Sequence, residues 1–217
     1  MNNINQEYIE SYIQELLPEP EPFIKELQSY SEEFHIPIIH PEVAQFIGLL
    51  LKAQNCKRVL EIGTAIGYSA ILFSKAMGKD SKIITIEREP EMIDIAKQNI
   101  KKADLQDNIK ILEGEADDIL PSLTSHFDCI FLDAAKGHYM DFLPKCLELL
   151  KYNGLLISDN VLFRGMVATD HLVKRRKITI VKRMRKYLNY ISNHYQLNTS
   201  IIPLGDGLAI SLKGVEE

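Results

Sequence analysis

The stretch Arg58-Val59-Leu60-Glu61-Ile62-Gly63-Thr64-Ala65-Ile66-Gly67-Tyr68-Ser69 decides the fold. Val59 to Ile62 is a short apolar run that leads straight into a turn of small residues. Tyr68 to Met77 then carries apolar residues at helical spacing. A buried strand, a tight turn and a helix start follow from that pattern. Glycines let backbone approach a ligand closely, and a helix start favours negative charge. In an open α/β sheet such a ligand lies outside the carboxyl end of the strand. Gly63 followed by Thr64-Ala65-Ile66-Gly67 is not the G-x-G-x-x-G dinucleotide fingerprint. It is closer to acid-x-Gly-x-Gly-x-Gly, with Glu61 as the acid and Ala65 in the middle glycine place.

Beyond Arg58 the pattern alternates. It predicts strands at Val59–Ile62, Lys82–Ile86, Ile109–Glu113, Phe127–Leu132 and Leu155–Ser158, with helices at Tyr68–Met77, Pro90–Lys102, Asp117–Leu123 and Tyr139–Leu150. Continuous apolar strands between helices mean a mostly parallel sheet covered on both faces. The end differs: a helix is predicted over Lys174 to Tyr195, then strands Leu197–Ile202 and Leu208–Leu212 joined by Pro203-Leu204-Gly205-Asp206-Gly207. So short a join makes a hairpin, so one strand must be antiparallel to the rest. Upstream, Asn5 to Leu17, Phe23 to Phe34 and Glu42 to Ala53 are expected helices, a cap over residues 1–55 ahead of a core at 56–217.

At 217 residues the chain is long enough for one domain with a sizeable core. No apolar run approaches a membrane span. The polar, acidic Met1 to Glu10 has no signal-peptide character, and Cys56, Cys129 and Cys146 lack metal spacing; together they fit reduced thiols in a cytoplasmic protein. The net charge of -5 hides an asymmetry. Residues 1–33 are acidic apart from Lys25, whereas residues 164–190 are strongly basic, with Asp170 the lone acid. Such a block is either a solvated helix face or a contact for an anionic partner.

Chemistry concentrates at strand ends. Glu87 ends the second predicted strand, where an acid can accept hydrogen bonds from both ribose hydroxyls or can simply be solvated. Gly114-Glu115-Ala116-Asp117 follows the third, where an adenine would be cradled. Asp133 ends the fourth strand, and Asp159 with Asn160 the fifth. Asp and Asn often cap turns. Three at adjacent strand ends form an all-oxygen set suited to a hard divalent ion, Mg²⁺ first, with Mn²⁺ or Ca²⁺ as alternatives. Lys136 lies three residues past Asp133. Beside a divalent cation its charged form is disfavoured, so its amine could take a proton from a substrate hydroxyl; without that neighbour it is a surface lysine.

At these residues the chain resembles the cation-dependent O-methyltransferases of the catechol and caffeoyl-CoA type. Val59 through Ala70, Glu87, Asp133-Ala134-Ala135-Lys136, Asp159-Asn160 and Gly205-Asp206-Gly207 fall in family order over roughly residues 35–215. The resemblance implies a class I methyltransferase fold, a Rossmann-like α/β sheet of seven strands in the order 3-2-1-4-5-7-6 within a single domain, 1–217. It implies S-adenosylmethionine as methyl donor, held by Glu61, Gly63, Gly67, Ser69, Glu87, Gly114, Glu115, Ala116 and Asp133. Ser69 would lie at the methionine carboxylate, Glu87 at the ribose and Ala116 near the adenine. It implies a Mg²⁺-like ion at Asp133, Asp159 and Asn160, Lys136 as catalytic base, and a homodimer with no membrane association.

Small-molecule members resemble this chain as far as Val161-Leu162-Phe163-Arg164-Gly165. A basic stretch then departs from them: Lys174, Arg175, Arg176, Lys177, Lys182 and Arg183, with Arg185 and Lys186 beyond. It is similar to the branch of the family that converts 5-hydroxyuridine to 5-methoxyuridine at the wobble position of bacterial tRNA. The expected partner is therefore a tRNA anticodon loop, its phosphates met by these bases. Two other readings stand beside it: the same chemistry on a small diphenol or acyl-CoA, and a non-catalytic RNA-binding module that has no use for Lys136 or the aspartates.

Overall fold

The computed structural model describes residues 4–214; the tips of the expected 1–217 domain lie outside the described residues. Seven strands form one sheet in the order β3-β2-β1-β4-β5-β7-β6, with helices around it, as the resemblance implied. The chain divides into two compact units, Tyr12–Ile119 and a second made of 120–214 with the N-terminal residues up to Ser11.

The first unit holds α2 (Pro22–Glu33), α3 (Pro41–Ala53), β1 (Arg58–Ile62), α4 (Tyr68–Met77), β2 (Lys82–Glu87), α5 (Pro90–Lys102), β3 (Ile109–Glu113) and the short α6 (Ala116–Ile119); α1 (Glu7–Glu15) straddles the boundary. Prolines open α2, α3 and α5, where a missing N–H costs nothing and φ is already helical. β1, β2 and β3 are parallel, with Val59 opposite Ile83 and Ile83 opposite Ile109. Val43, Ile47 and Leu51 of α3, Val59, Leu60 and Ile62 of β1, and Ile71 and Phe73 of α4 are all but sealed from solvent. Each such burial contributes roughly 1.5–3 kcal/mol.

The second unit holds β4 (Phe127–Leu132), α7 (Tyr139–Leu149), β5 (Leu150–Ser158), α8 (Ile178–Ser192), β6 (Leu197–Ile202) and β7 (Leu208–Lys213). β4 and β5 are parallel; β7 runs antiparallel to both β5 and β6, as the hairpin join demands. Gly207 in that join has φ +86°, and a Cβ there would stand 2.3 Å from Leu162 Cγ, so the turn admits only glycine.

Three elements differ from the sequence expectation. β5 starts at Leu150, not Leu155, because an irregular register between Phe127 and Cys129 lets the chain pair early. The helix expected over Asp117–Leu123 splits into α6 and a 3₁₀ turn at Leu120–Ser122, where Pro121 cannot donate a helical hydrogen bond. The helix expected from Lys174 begins only at Ile178, after a 3₁₀ turn at Arg175–Lys177. A run of cations is unfavourable in the first turn of an α-helix, where the backbone dipole is itself positive. Among the described residues no helix is long and apolar enough to cross a membrane.

Candidate active site

In the first unit the site is the turn between β1 and α4. Gly63 (φ 107°), Ala65 (φ 44°) and Gly67 (φ 82°) all take left-handed backbone, which folds the chain back on itself within five residues. Gly67 N–H closes the turn on Thr64 O at 2.8 Å. Gly67 stands at the N-cap of α4 and gives no side-chain cap, so the first N–H groups of the helix suit an anionic group such as a carboxylate.

Glu61 is fully buried beneath this turn. Ser69 Oγ donates to its Oε1 at 2.5 Å and Thr85 Oγ1 to its Oε2 at 2.6 Å, while the Thr64 hydroxyl lies 2.6 Å from that of Thr85. Burial pushes the Glu61 carboxyl up to about 7, against the lowering effect of the two hydroxyl donors and with a further upward push from Glu87. The structure therefore sets Glu61 under the turn, where it orients Ser69. Glu87 stands at the tip of β2. Its Oε2 accepts Ala65 N–H at 2.8 Å, and its Oε1 accepts Arg88 N–H at 2.9 Å and Glu89 N–H at 3.1 Å. A carboxylate offers about four lone-pair directions, so Oε2 retains capacity for a hydroxyl donor. Gly114 N–H bonds to Glu87 O at 2.8 Å, which ties the predicted adenine turn to the ribose strand. Ala116 is buried at the start of α6, and Glu115 reaches Arg88 at 3.4 Å.

In the second unit the site is the tips of β4 and β5. Leu132 is opposite Ser158, and Asp159 N–H bonds to Leu132 O at 2.9 Å, so Asp133 and Asp159 leave the sheet side by side. Asn160 takes φ 54°, which Asn tolerates, and its N–H donates to Asp159 Oδ1 at 2.6 Å. Lys136 Nζ donates to Asn160 Oδ1 at 2.8 Å. The amine of Lys136 thus already rests on one of the three predicted ligand oxygens, next along the chain from an Asp159 only 2% exposed. A buried carboxylate calls for a partner, and an all-oxygen set of two acids and an amide suits a hard divalent cation. Among the described residues no group of three His, Cys, Asp or Glu could hold a metal, so any ion here would depend on the amide oxygen.

Sequence reasoning missed what braces these tips. Tyr139, at the start of α7, is fully buried, and its hydroxyl lies 3.0 Å from both Leu132 O and Asp159 O. Burial first, then the charges of Asp133 and Asp159, push its phenol well above the usual range. Tyr139 also meets Tyr187 of α8 edge-on at 5.5 Å, and the Tyr187 hydroxyl pairs with Ser158 at 2.6 Å. A tyrosine on an apolar helix face gives no sequence signal for this role.

The predicted basic set divides. Lys174, Arg175, Arg176 and Lys182 are exposed. Lys177 Nζ stands 5.6 Å from the Phe163 ring, which Lys136 Nζ faces at 5.9 Å. Arg183, whose side chain is half exposed, donates to Gly137 O at 2.9 Å.

The sheet order, the glycine turn after β1 with Glu61 beneath it, and the acid-amide-lysine cluster after β4 and β5 are those of a methyltransferase fold. The profile of the O-methyltransferase family matches residues 15–214, and the chain belongs to that family. It is similar to a catechol O-methyltransferase from Niastella koreensis, with 33% identity over 79% of this chain and 80% of that one. It is also similar to caffeoyl-CoA O-methyltransferase 1 of Eucalyptus globulus, with 31% identity over 88% of this chain and 81% of that one. Among solved structures, a candidate caffeoyl-CoA O-methyltransferase from Staphylococcus aureus superposes with a TM-score of 0.86 at 34% identity, over 95% of this chain and 98% of that one. An O-methyltransferase from Bacillus cereus, solved in complex with SAH, shares the fold at 24% identity, with a TM-score of 0.84 over 95% and 97% of the two chains.

Proposed function

We propose that this chain moves a methyl group from S-adenosylmethionine to a hydroxyl oxygen of 5-hydroxyuridine in the anticodon loop of tRNA, with a divalent cation held by Asp133, Asp159 and Asn160. The observation that carries the reaction is the amine of Lys136 on Asn160 Oδ1, beside the buried Asp159. Family membership and the SAH held by the Bacillus cereus protein support the donor. The exposed Lys174, Arg175 and Arg176 support a polyanionic acceptor.

In this reading the N–H groups at the start of α4, that of Ser69 among them, hold the methionine carboxylate, while Glu61 holds the Ser69 hydroxyl beneath the turn. Glu87 accepts the ribose hydroxyls, and the turn at Gly114, Glu115 and Ala116 takes the adenine. A divalent cation, when bound, supplies Lewis acidity that makes the acceptor hydroxyl a better acid. Lys136 takes the proton at Nζ. The acceptor oxygen then forms the bond to the methyl carbon, and the bond from that carbon to sulfur breaks with its electron pair left on sulfur. Orientation by the two tips lowers much of the barrier.

The deciding experiment is nucleoside mass spectrometry of tRNA from a deletion strain. Loss of 5-methoxyuridine with build-up of 5-hydroxyuridine is the expected result; unchanged 5-methoxyuridine would remove tRNA as substrate. A second reading, a small diphenol or acyl-CoA acceptor, is favoured by the identity to the catechol and caffeoyl-CoA enzymes. The 5-hydroxyl and O4 of the modified uridine are adjacent as two catechol oxygens are, so one site could serve either; methyl transfer to catechol by the purified protein tests it. For the ion, Asp159→Asn should abolish the Mg²⁺ binding isotherm of the parent, and an unaltered isotherm would place the ion elsewhere. We also propose a homodimer in the cytoplasm. α1 buries none of its residues and exposes Tyr8 and Tyr12 at 73% and 61%, with Leu16 just past its end at 67%, which suits a second copy. Light scattering of the purified chain measures that mass.

A further inference from the structure

Arg183 and Arg185 stand two residues apart on α8, so they leave the helix on nearly opposite sides. Each ends on backbone of a different loop. Arg183 Nη1 donates to Gly137 O at 2.9 Å, one residue past Lys136, with Asp141 at 3.9 Å. Arg185 spreads its fork over a single segment: Nε to Val167 O at 2.8 Å, Nη2 to Met166 O at 3.2 Å, and Nη1 to Asp170 Oδ1 at 2.7 Å. That segment follows Asn160 and is strained, because Phe163 and Arg164 have φ of 47° and 57°. Such backbone persists only where its surroundings over-determine it. One anchor is Asp206, whose backbone and side-chain oxygens accept the N–H groups of Leu162 and Arg164. Gly207 O, which accepts Val161 N–H at 2.9 Å, is a second, and Arg185 is a third, from α8.

We propose that Arg183 and Arg185 are positioning residues of the site and not part of its anion-binding surface: through them α8 holds the loop that carries Lys136 and the loop that follows Asn160. The inference rests on the proposed roles of Lys136 and Asn160. It divides the basic stretch by task. Lys174, Arg175, Arg176 and Lys182 face solvent and remain for a polyanion. The two arginines direct their charge at carbonyl oxygens and at the carboxylates of Asp170 and Asp141. A lysine in place of Arg185 would supply one point charge where the fork serves three acceptors.

The test compares Arg183→Gln and Arg185→Gln with the triple variant Lys174→Gln/Arg175→Gln/Arg176→Gln. Amide hydrogen exchange is followed over 133–138 and 161–173, and kcat and KM are measured separately with tRNA and with catechol. Arg185→Gln should speed exchange in 161–173, and Arg183→Gln in 133–138. In both, kcat should fall roughly tenfold or more with whichever acceptor is turned over, at little change in KM. The triple variant should leave exchange in both loops as in the parent, raise KM for tRNA, and lower the slope of log affinity against log salt by about 3. If Arg185→Gln fails to fold, Arg185→Lys carries the same comparison, with the same direction and a smaller change. Parental exchange and kcat in both arginine variants would overturn the proposal. A triple variant with parental KM for tRNA would instead remove the tRNA reading and leave the clamp standing, because the exchange measurement uses no substrate.

Discussion

Glu61 is a carboxylic acid with no access to water, held under a glycine turn by two hydroxyls. Its carboxyl is raised to about 7, so the folded chain binds the proton more tightly than the unfolded chain does. The sign of the pH dependence follows. The stabilising contribution is fully present below the ordinary carboxyl value of 4.5, and it is lost as pH rises through about 7. Its span is on the order of 3 kcal/mol. Urea melts of the apo protein between pH 4.5 and pH 7.5 should show the loss, and Glu61→Gln should flatten it. A parent whose stability is constant over that window would mean that Glu61 is ionised throughout. The acid was legible in the sequence as part of the turn motif. Its placement beneath the turn was not, because nothing in the spacing says that Thr85, two residues before Glu87, would reach its oxygens.

At the scale of elements, the site depends on where strands end and on what ties the ends together. Tyr139 at the first position of α7 does so for β4 and β5. Tyr139→Phe keeps the packed ring but removes the hydroxyl from Asp159 O and from Leu132 O, of which Leu132 O keeps the Asp159 N–H. The expected cost is about 1–3 kcal/mol, read as a lower urea midpoint with unchanged m-value. An unchanged midpoint would show that Asp159 O is satisfied without the phenol. Lys213 performs a similar service at the other end of α7: its Nζ donates to Leu147 O at 2.7 Å and Leu150 O at 2.8 Å, over the Tyr152 ring. α8 is the element that sequence placed least well. Its amphipathic run was plain, but the bases at Arg175–Lys177 proved to lie in a 3₁₀ turn, where propensity alone did not put them.

For the molecule as a whole, the proposed donor pocket predicts linkage. S-adenosylhomocysteine at a hundredfold its Kd should stabilise the fold by about 2.7 kcal/mol. For a chain of this length that raises Tm by roughly 5–11 °C. Thermal melts with and without the nucleoside measure it, and an unmoved Tm at millimolar ligand would remove the cofactor reading. The alternation of apolar runs and helical periodicities, the glycine turn after β1, the hairpin at Pro203–Gly207 and the acids at the strand tips were all determined by sequence, because burial, backbone freedom and strand period act over neighbouring residues. Tertiary structure alone decided that Lys136 rests on Asn160, that Tyr139 joins two strand ends, and that two of the basic residues of α8 turn to backbone carbonyls. Those pairings join residues 7 to 46 positions apart, and a side chain's choice between water and a distant partner is set by packing, which no local pattern encodes.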